Sequence, residues 1–452
     1  MPTSTALLDF QQYSPLTYQQ SEAAAAPDPS PQTSSHAQGG IYGYAFLAAA
    51  CEGKREVIRR LLDNGVDVNT RGGKYGNALQ AAVSQAAAES KMEVIQLLLD
   101  RGADVHAQGG EYGTALQAAA YCGEVEVIQL LLDKGADVNA QGGEYGNALQ
   151  AAACRGKIEV VQLLLDNGAK VNAQGGEYNN ALQAAAHGGK IEAIQLLLDK
   201  GADVNAQGGQ YGNALQAAAF GGKIEAIRLL LGNGADINAQ GGEYGSALQA
   251  AVSQATAYYG NMEVICLLLD NGADVNTQGG RYGNALQAAA YGGKIEVIQL
   301  LLDRGADVHA QGGEYGSALQ AAVLQAAAYG GDINVIRLLL DKGADVNARG
   351  GWYGGALQAA TYGGEIKVTQ LLLDNGADVN AQGGEYGNAL QAAIYGGKLE
   401  VIRLMLDKGA DVNAQGGRYG NALHAARCRG NAEAIQLLLD QGAGPSGRLW
   451  GP

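Results

Sequence analysis

The sequence predicts an all-α solenoid of about twelve helix-turn-helix-hairpin units over residues 39–443, between an N-terminal tail (1–38) and a C-terminal tail (444–452). Three observations predict it. The tyrosine of a "GGxYG"-like phrase recurs at Tyr42, Tyr75, Tyr112, Tyr145, Tyr178, Tyr211, Tyr244, Tyr282, Tyr315, Tyr353, Tyr386 and Tyr419. Eight of the eleven intervals are 33 residues, one is 37 and two are 38. Each unit holds two stretches of helical patterning separated by glycine. Apolar residues make up 47% of the chain but aromatic ones only 6%, with 69 glycines, which suits thin, closely stacked layers.

One unit, "YGNALQAAAYGGKIEVIQLLLDRGADVHAQ" (Tyr282 to Gln311), justifies the elements in order. Asn284 precedes an Ala/Leu run, where its side chain caps the first amides of a short helix. Gly292 and Gly293 end that helix. Ile295, Ile298 and Leu302 then form an i, i+3, i+7 stripe, with Val297 and Leu301 adjoining, which marks a second helix. Gly305 suits the left-handed residue beyond that helix. The following "AQGGEYG" is a turn or hairpin. One unit has too few large apolar side chains to offset its own ordering entropy, so neighbours must supply the missing burial.

Three units carry four or five added residues, about one helical turn. They are "AAVSQAAAESKMEVI" (Ala81 to Ile95), "AAVSQATAYYGNMEVI" (Ala250 to Ile265) and "AAVLQAAAYGGDINVI" (Ala321 to Ile336). The expectation is a longer first helix, with Tyr258, Tyr259 and Tyr329 standing near one another as a contact region. Stacking at about 10 Å per layer predicts a curved slab on the order of 100 Å long.

The period, the helix–turn–helix–hairpin order and phrases such as "EVIQLLLDKGADVNA" (Glu126 to Ala140) resemble ankyrin repeats, over about nine-tenths of the chain. Where that family opens its first helix with Thr-Pro-Leu-His, this chain has Asn-Ala-Leu-Gln, and only His424 restores the histidine. The loss of the proline predicts less rigid first helices. The "GGxYGNALQAA" wording is similar to ankyrin arrays of filamentous fungi. The resemblance implies a non-enzymatic scaffold or adaptor that binds proteins along a concave face and its hairpin tips. It further implies cytoplasmic or nuclear residence and includes binding a transcription factor as a coregulator. Two rival readings are a sensor or inhibitory arm of a NACHT-like nucleotide switch and a scaffold for biosynthetic enzymes.

The twelve copies can be compared with one another. The residue at the hairpin tip varies: Ile41, Lys74, Glu111, Glu144, Glu177, Gln210, Glu243, Arg281, Glu314, Trp352, Glu385 and Arg418. The protein-binding candidates are Ile41, Lys74, Glu111, Glu144, Glu177, Glu243, Arg281, Trp352 and Arg418, with Arg349 beside the tryptophan. Each Glu reads equally as a solvated tip. Trp352, flanked by Arg349 and Tyr353, has the composition of an interface anchor. A second variable position ends the first helix: Cys51, Tyr121, Cys154, His187, Phe220, Tyr291, Tyr362, Tyr395 and Cys428. Rings there read either as contacts or as cover for the helix beneath.

The formal charge of −15 comes almost wholly from the repeats and disfavours direct nucleic-acid binding. The five cysteines lack CxxC spacing, which argues against a disulfide framework and for a reducing compartment. No Lys or Arg precedes Lys54, so neither a secretory signal nor a mitochondrial presequence is expected, and no apolar run approaches membrane-spanning length. No GxxxxGK[ST] occurs. The five histidines (His36, His106, His187, His309 and His424) have no metal-ligand spacing, so neither cofactor nor metal is expected. In the N-terminal tail, "LLDFQQYSPLTY" (Leu7 to Tyr18) reads as a short linear motif or a passive leader.

Overall fold

A computed structural model describes residues 37–85, 88–257 and 262–444. They form twelve antiparallel helix pairs, from Ala37–Cys51 with Arg55–Asp63 to Ala422–Arg429 with Ala432–Asp440. The first helices of successive pairs pack closely, while the second helices diverge, so the stack curves with the first helices inside. The two sets are called inner and outer below, and the pairs are repeats 1 to 12.

Local chemistry accounts for the unit. Inner helices start at an asparagine in extended conformation; in Ala148–Arg155 the Asn147 side chain accepts from the Gln150 amide at 2.9 Å. Thr114 and Ser317 do the same in repeats 3 and 9, whereas Gly355 leaves repeat 10 without a side-chain cap. Ala fills both flanks of the inner helix and is buried throughout, for example Ala151, Ala152 and Ala153, so helices approach without a large side chain between them. The outer-helix stripe differs from expectation. In repeat 8 the buried positions are Val297, Ile298 and Leu301, while Ile295 and Leu302 are only half-buried. The helix packs on its own inner helix and also on flanking outer helices, which turns Val297 inward.

Hairpins join the repeats. Two have paired strands, Arg71–Gly72 with Gly76–Asn77 and Gln311–Gly312 with Gly316–Ser317. Most others close through one antiparallel bridge, as at Gly142 and Gly146. Gly146 has φ 87°, and a Cβ there would lie 2.7 Å from the backbone of Gly175 and Gly176 in the next hairpin. Only glycine meets both demands. The first "GGxYG" phrase is an exception. Gly39 to Gly43 lies inside the helix Ala37–Cys51, so Ile41 is helical and not at a hairpin tip. Among the described residues no earlier hairpin stands beside it.

The inserted turns also divide. Inner helices lengthen in repeat 7 (Ala247–Ala257) and repeat 9 (Ala318–Tyr329), as expected. In repeat 2 the described inner helix runs over Ala78–Gln85, and the outer helix starts early, at Ala88–Asp100. Repeats 7 and 9 carry glycine after the insertion, at Gly260 and at Gly330 and Gly331. Repeat 2 has none, and "AESKM" continues straight into the outer helix.

Two hydrogen-bond ladders hold the stack. The buried Gln of each "NALQ" donates across to the next repeat; Gln216 Nε2 reaches the carbonyls of Ala239, Gly241 and Gly245 at 3.2, 3.3 and 2.8 Å. The Asn of each "DVN" donates to one backbone group and accepts from another a repeat away. Asn205 Nδ2 donates to Gly234 O at 3.1 Å and its Oδ1 accepts from Asp236 N at 2.8 Å. His106 and His309, which replace that Asn, keep the local turn bond, in which the histidine amide donates to the carboxylate of Asp104 or Asp307.

Candidate protein-interaction surface

The hairpin tips form a third ladder along the concave margin. The Glu144 amide donates to Glu111 O at 3.0 Å and the Glu177 amide to Glu144 O at 2.9 Å. Similar bonds join Glu111 to Lys74, Glu243 to Gln210, Arg281 to Glu243, Glu314 to Arg281, Glu385 to Trp352 and Arg418 to Glu385. Among the described residues the ladder lapses twice. Between Glu177 and Gln210 stands Asn179, among the described residues the one non-glycine residue with positive φ (69°), whose side chain occupies the space beside Gly208 and Gly209. The second gap, between Glu314 and Trp352, follows the lengthened repeat 9.

The ladder sets like charges side by side. Glu144 and Glu177 are displaced above the usual carboxylate range by partial burial, and for Glu144 also by Glu177 and Glu111. Farther along, the tips neutralise themselves. Arg281 Nε meets Glu314 at 3.1 Å, and Arg418 pairs with Glu385 while lying over the Tyr419 ring. Lys74 lies over the Tyr75 ring, 4.9 Å from its centre. Arg281, Arg418 and Lys74 therefore all have partners inside the array. Trp352 is 65% exposed and makes no ring contact among the described residues, and Arg349 beside it is exposed.

Behind the tips, the hairpin tyrosines and the rings that end the inner helices interleave. Tyr178, His187, Tyr211, Phe220 and Tyr244 stack in sequence, with neighbouring centroids 4.7–5.3 Å apart. A second run joins Tyr353, Tyr362, Tyr386, Tyr395 and Tyr419 at 5.0–5.4 Å. The helix-end position is thus both cover and surface: its rings are half-buried against the hairpin tyrosines. Burial, and then Lys223, pushes His187 down to about 4, so it stacks as a neutral ring. Ring centroids one repeat apart are 6.0 Å for Tyr178 and Tyr211 and 6.2 Å for His187 and Phe220. Curvature has compressed the expected ~10 Å spacing on this side.

Lysines form the other margin. Lys157, Lys190 and Lys223 lie across Gly123, Gly156 and Gly189 of the preceding repeats, where a Cβ would meet their stems at 2.7–2.8 Å. Sequence reasoning missed this row and the glutamine ladder; the signal for both is a polar residue repeated at the 33-residue period. Of the inserted tyrosines, Tyr329 is 61% exposed, while Tyr258 and Tyr259 lie outside the described residues. Among the described residues no group of His, Cys, Asp and Glu is placed to hold a metal, and no helix is long and apolar enough to cross a membrane.

A family model described as ankyrin repeats (three copies) matches residues 83–175, 149–241, 248–350, 320–383 and 356–447. Among solved structures, the crystal structure of the human ASB11 ankyrin repeat domain is similar at 28% identity and a TM-score of 0.41, covering 51% of this chain and 97% of that one. No curated protein matches the chain.

Proposed function

The chain belongs to the ankyrin-repeat family, and from that premise we propose that it is a non-enzymatic scaffold binding partner proteins along its concave face and hairpin tips. The observation that carries this reading is Trp352. A large apolar ring stands in solvent beside Arg349, at a hairpin-tip position where the other described tips carry charged or polar side chains. Trp and Arg are the residue types that anchor protein interfaces. The division of the surface between invariant packing positions and variable outward ones supports the same reading. The finer proposal is residence in the cytoplasm, the nucleus or both, with coregulator work on a transcription factor in the nucleus, since an acidic array suits contact with a protein better than contact with phosphates.

Proximity labelling in cells with the full chain and with Trp352→Ala tests it. The expected result is a set of neighbours that the variant loses in part. Identical neighbours for both would remove Trp352 from the interface, and no neighbours above an unrelated control would end the scaffold reading. A chain found only outside the nucleus would end the coregulator proposal.

A further inference from the structure

Over repeats 3 to 7 the concave surface presents three parallel rows. The outermost is the tip carboxylates Glu111, Glu144, Glu177 and Glu243, next come the half-buried rings, and last the lysines Lys157, Lys190 and Lys223. Among the described residues the ion pairs at the tips are those of Arg281 with Glu314 and Arg418 with Glu385; the four carboxylates of the earlier stretch have none, and neither do the three lysines. Glu111, Glu144 and Glu177 are like charges held one repeat apart on the backbone ladder, an arrangement that opposes stability, whereas Gln210 holds the tip of repeat 6 and donates to Glu243 at 3.1 Å.

We propose that this stretch receives an extended segment of a partner protein whose side chains alternate basic and acidic, two residues per repeat. The inference deepens the scaffold reading above and rests on it. The register comes from geometry. From Tyr178 to Tyr244 the rings repeat every 6.0–6.2 Å, and two residues of extended chain advance about 6.6 Å. Alternate side chains of a strand point to opposite sides. A strand along the stripe therefore turns one set towards the tip row and the other towards the lysine row, with a carboxylate and an ammonium both present in repeats 4 and 5 and Gln210 standing in the tip row of repeat 6, while its backbone and aliphatic stems cover the rings.

The chain itself shows that a guanidinium suits the rings: Arg155 lies over Tyr121 with its carbon 4.8 Å from the ring centre. The same register holds Gly188 and Gly221 in repeats 5 and 6, so this chain places no arginine over His187 there. The chain's own residues 1–36 contain neither Lys nor Arg and cannot supply the basic set. Nucleic acid, with phosphates on its outside, meets the carboxylate row unfavourably.

Fluorescence anisotropy with the full chain and labelled synthetic peptides tests the proposal. A peptide of about eight residues, enough for four repeats, alternates Arg and Glu; its control has the same residues in two blocks. The alternating peptide is expected to bind about tenfold or more tightly than the block peptide. Glu144→Gln with Glu177→Gln, and separately Lys190→Gln with Lys223→Gln, are each expected to lose about tenfold, with circular dichroism unchanged. Glu296→Gln on an outer helix is expected to bind as the unaltered chain does. Equal binding of the two peptides, or unaltered binding by either double variant, overturns the proposal. Should the full chain label partner proteins in cells yet bind neither peptide, this inference fails alone and the scaffold reading stands.

Discussion

At the residue scale, the glutamine of "NALQ" matters more than its plain chemistry suggests. Gln216 is 1% exposed and serves three carbonyls of the next hairpin. Gln216→Leu keeps the volume and strands those carbonyls, so a loss of about 2–3 kcal/mol is expected in urea unfolding. A loss below about 0.5 kcal/mol would mean that water replaces the amide at no penalty. His187 makes a second prediction. Its folded value of about 4 lies below the ordinary 6.5, so the unfolded chain binds its proton first on acidification. Its contribution is full above the unfolded value and is lost as pH falls from about 6.5 towards 4. His187→Phe keeps the stack and removes that loss. The stability difference between variant and parent should therefore shift in favour of the variant over this window, and a constant difference would contradict the buried neutral ring. Glu144 and Glu177 act in the opposite sense, since their raised values favour the folded state as they protonate.

At the element scale, the exceptions are as informative as the rule. Asn179 holds a left-handed conformation and wedges apart the tips of repeats 5 and 6. Asn179→Gly is expected to relieve strain and let the Gln210 amide reach Glu177, slowing hydrogen exchange at Gln210. Unchanged exchange there would place the cause of the gap elsewhere. His309 interrupts the asparagine ladder in the same way. His309→Asn is expected to add bonds to Gly343 O and Asp345 N of the kind Asn205 makes, and to stabilise by about 1 kcal/mol in urea unfolding. Both irregularities are visible in the sequence, as "YNN" among "YGN" phrases and "DVH" among "DVN". What they interrupt is not visible, because the ladders join residues about 23–38 positions apart.

At the scale of the whole molecule, stability resides between layers. The inner helices are short and alanine-rich, and their burial comes from the helices on either side. An isolated unit covering residues 178–209 is expected to give the circular dichroism of an unfolded chain, while the full chain is helical. A cooperative melt from that fragment would contradict the account. The curvature has a further consequence: within each run it brings rings from successive repeats to about 6 Å and turns separate side chains into stacked series.

The fold was legible in the sequence alone because period, caps and glycines act locally: Asn284 caps, Gly305 turns left-handed and the Gly-rich phrase closes a hairpin, each through residues within a few positions of itself. Only the tertiary structure decided which outward residues remain unpaired. Arg281 and Arg418 look as available as Trp352 in the sequence, yet curvature carries each beside a tip glutamate 33 residues away, leaving the tryptophan in solvent. Nor does the wording of the first phrase, which matches the hairpin phrases, reveal that it lies in a helix.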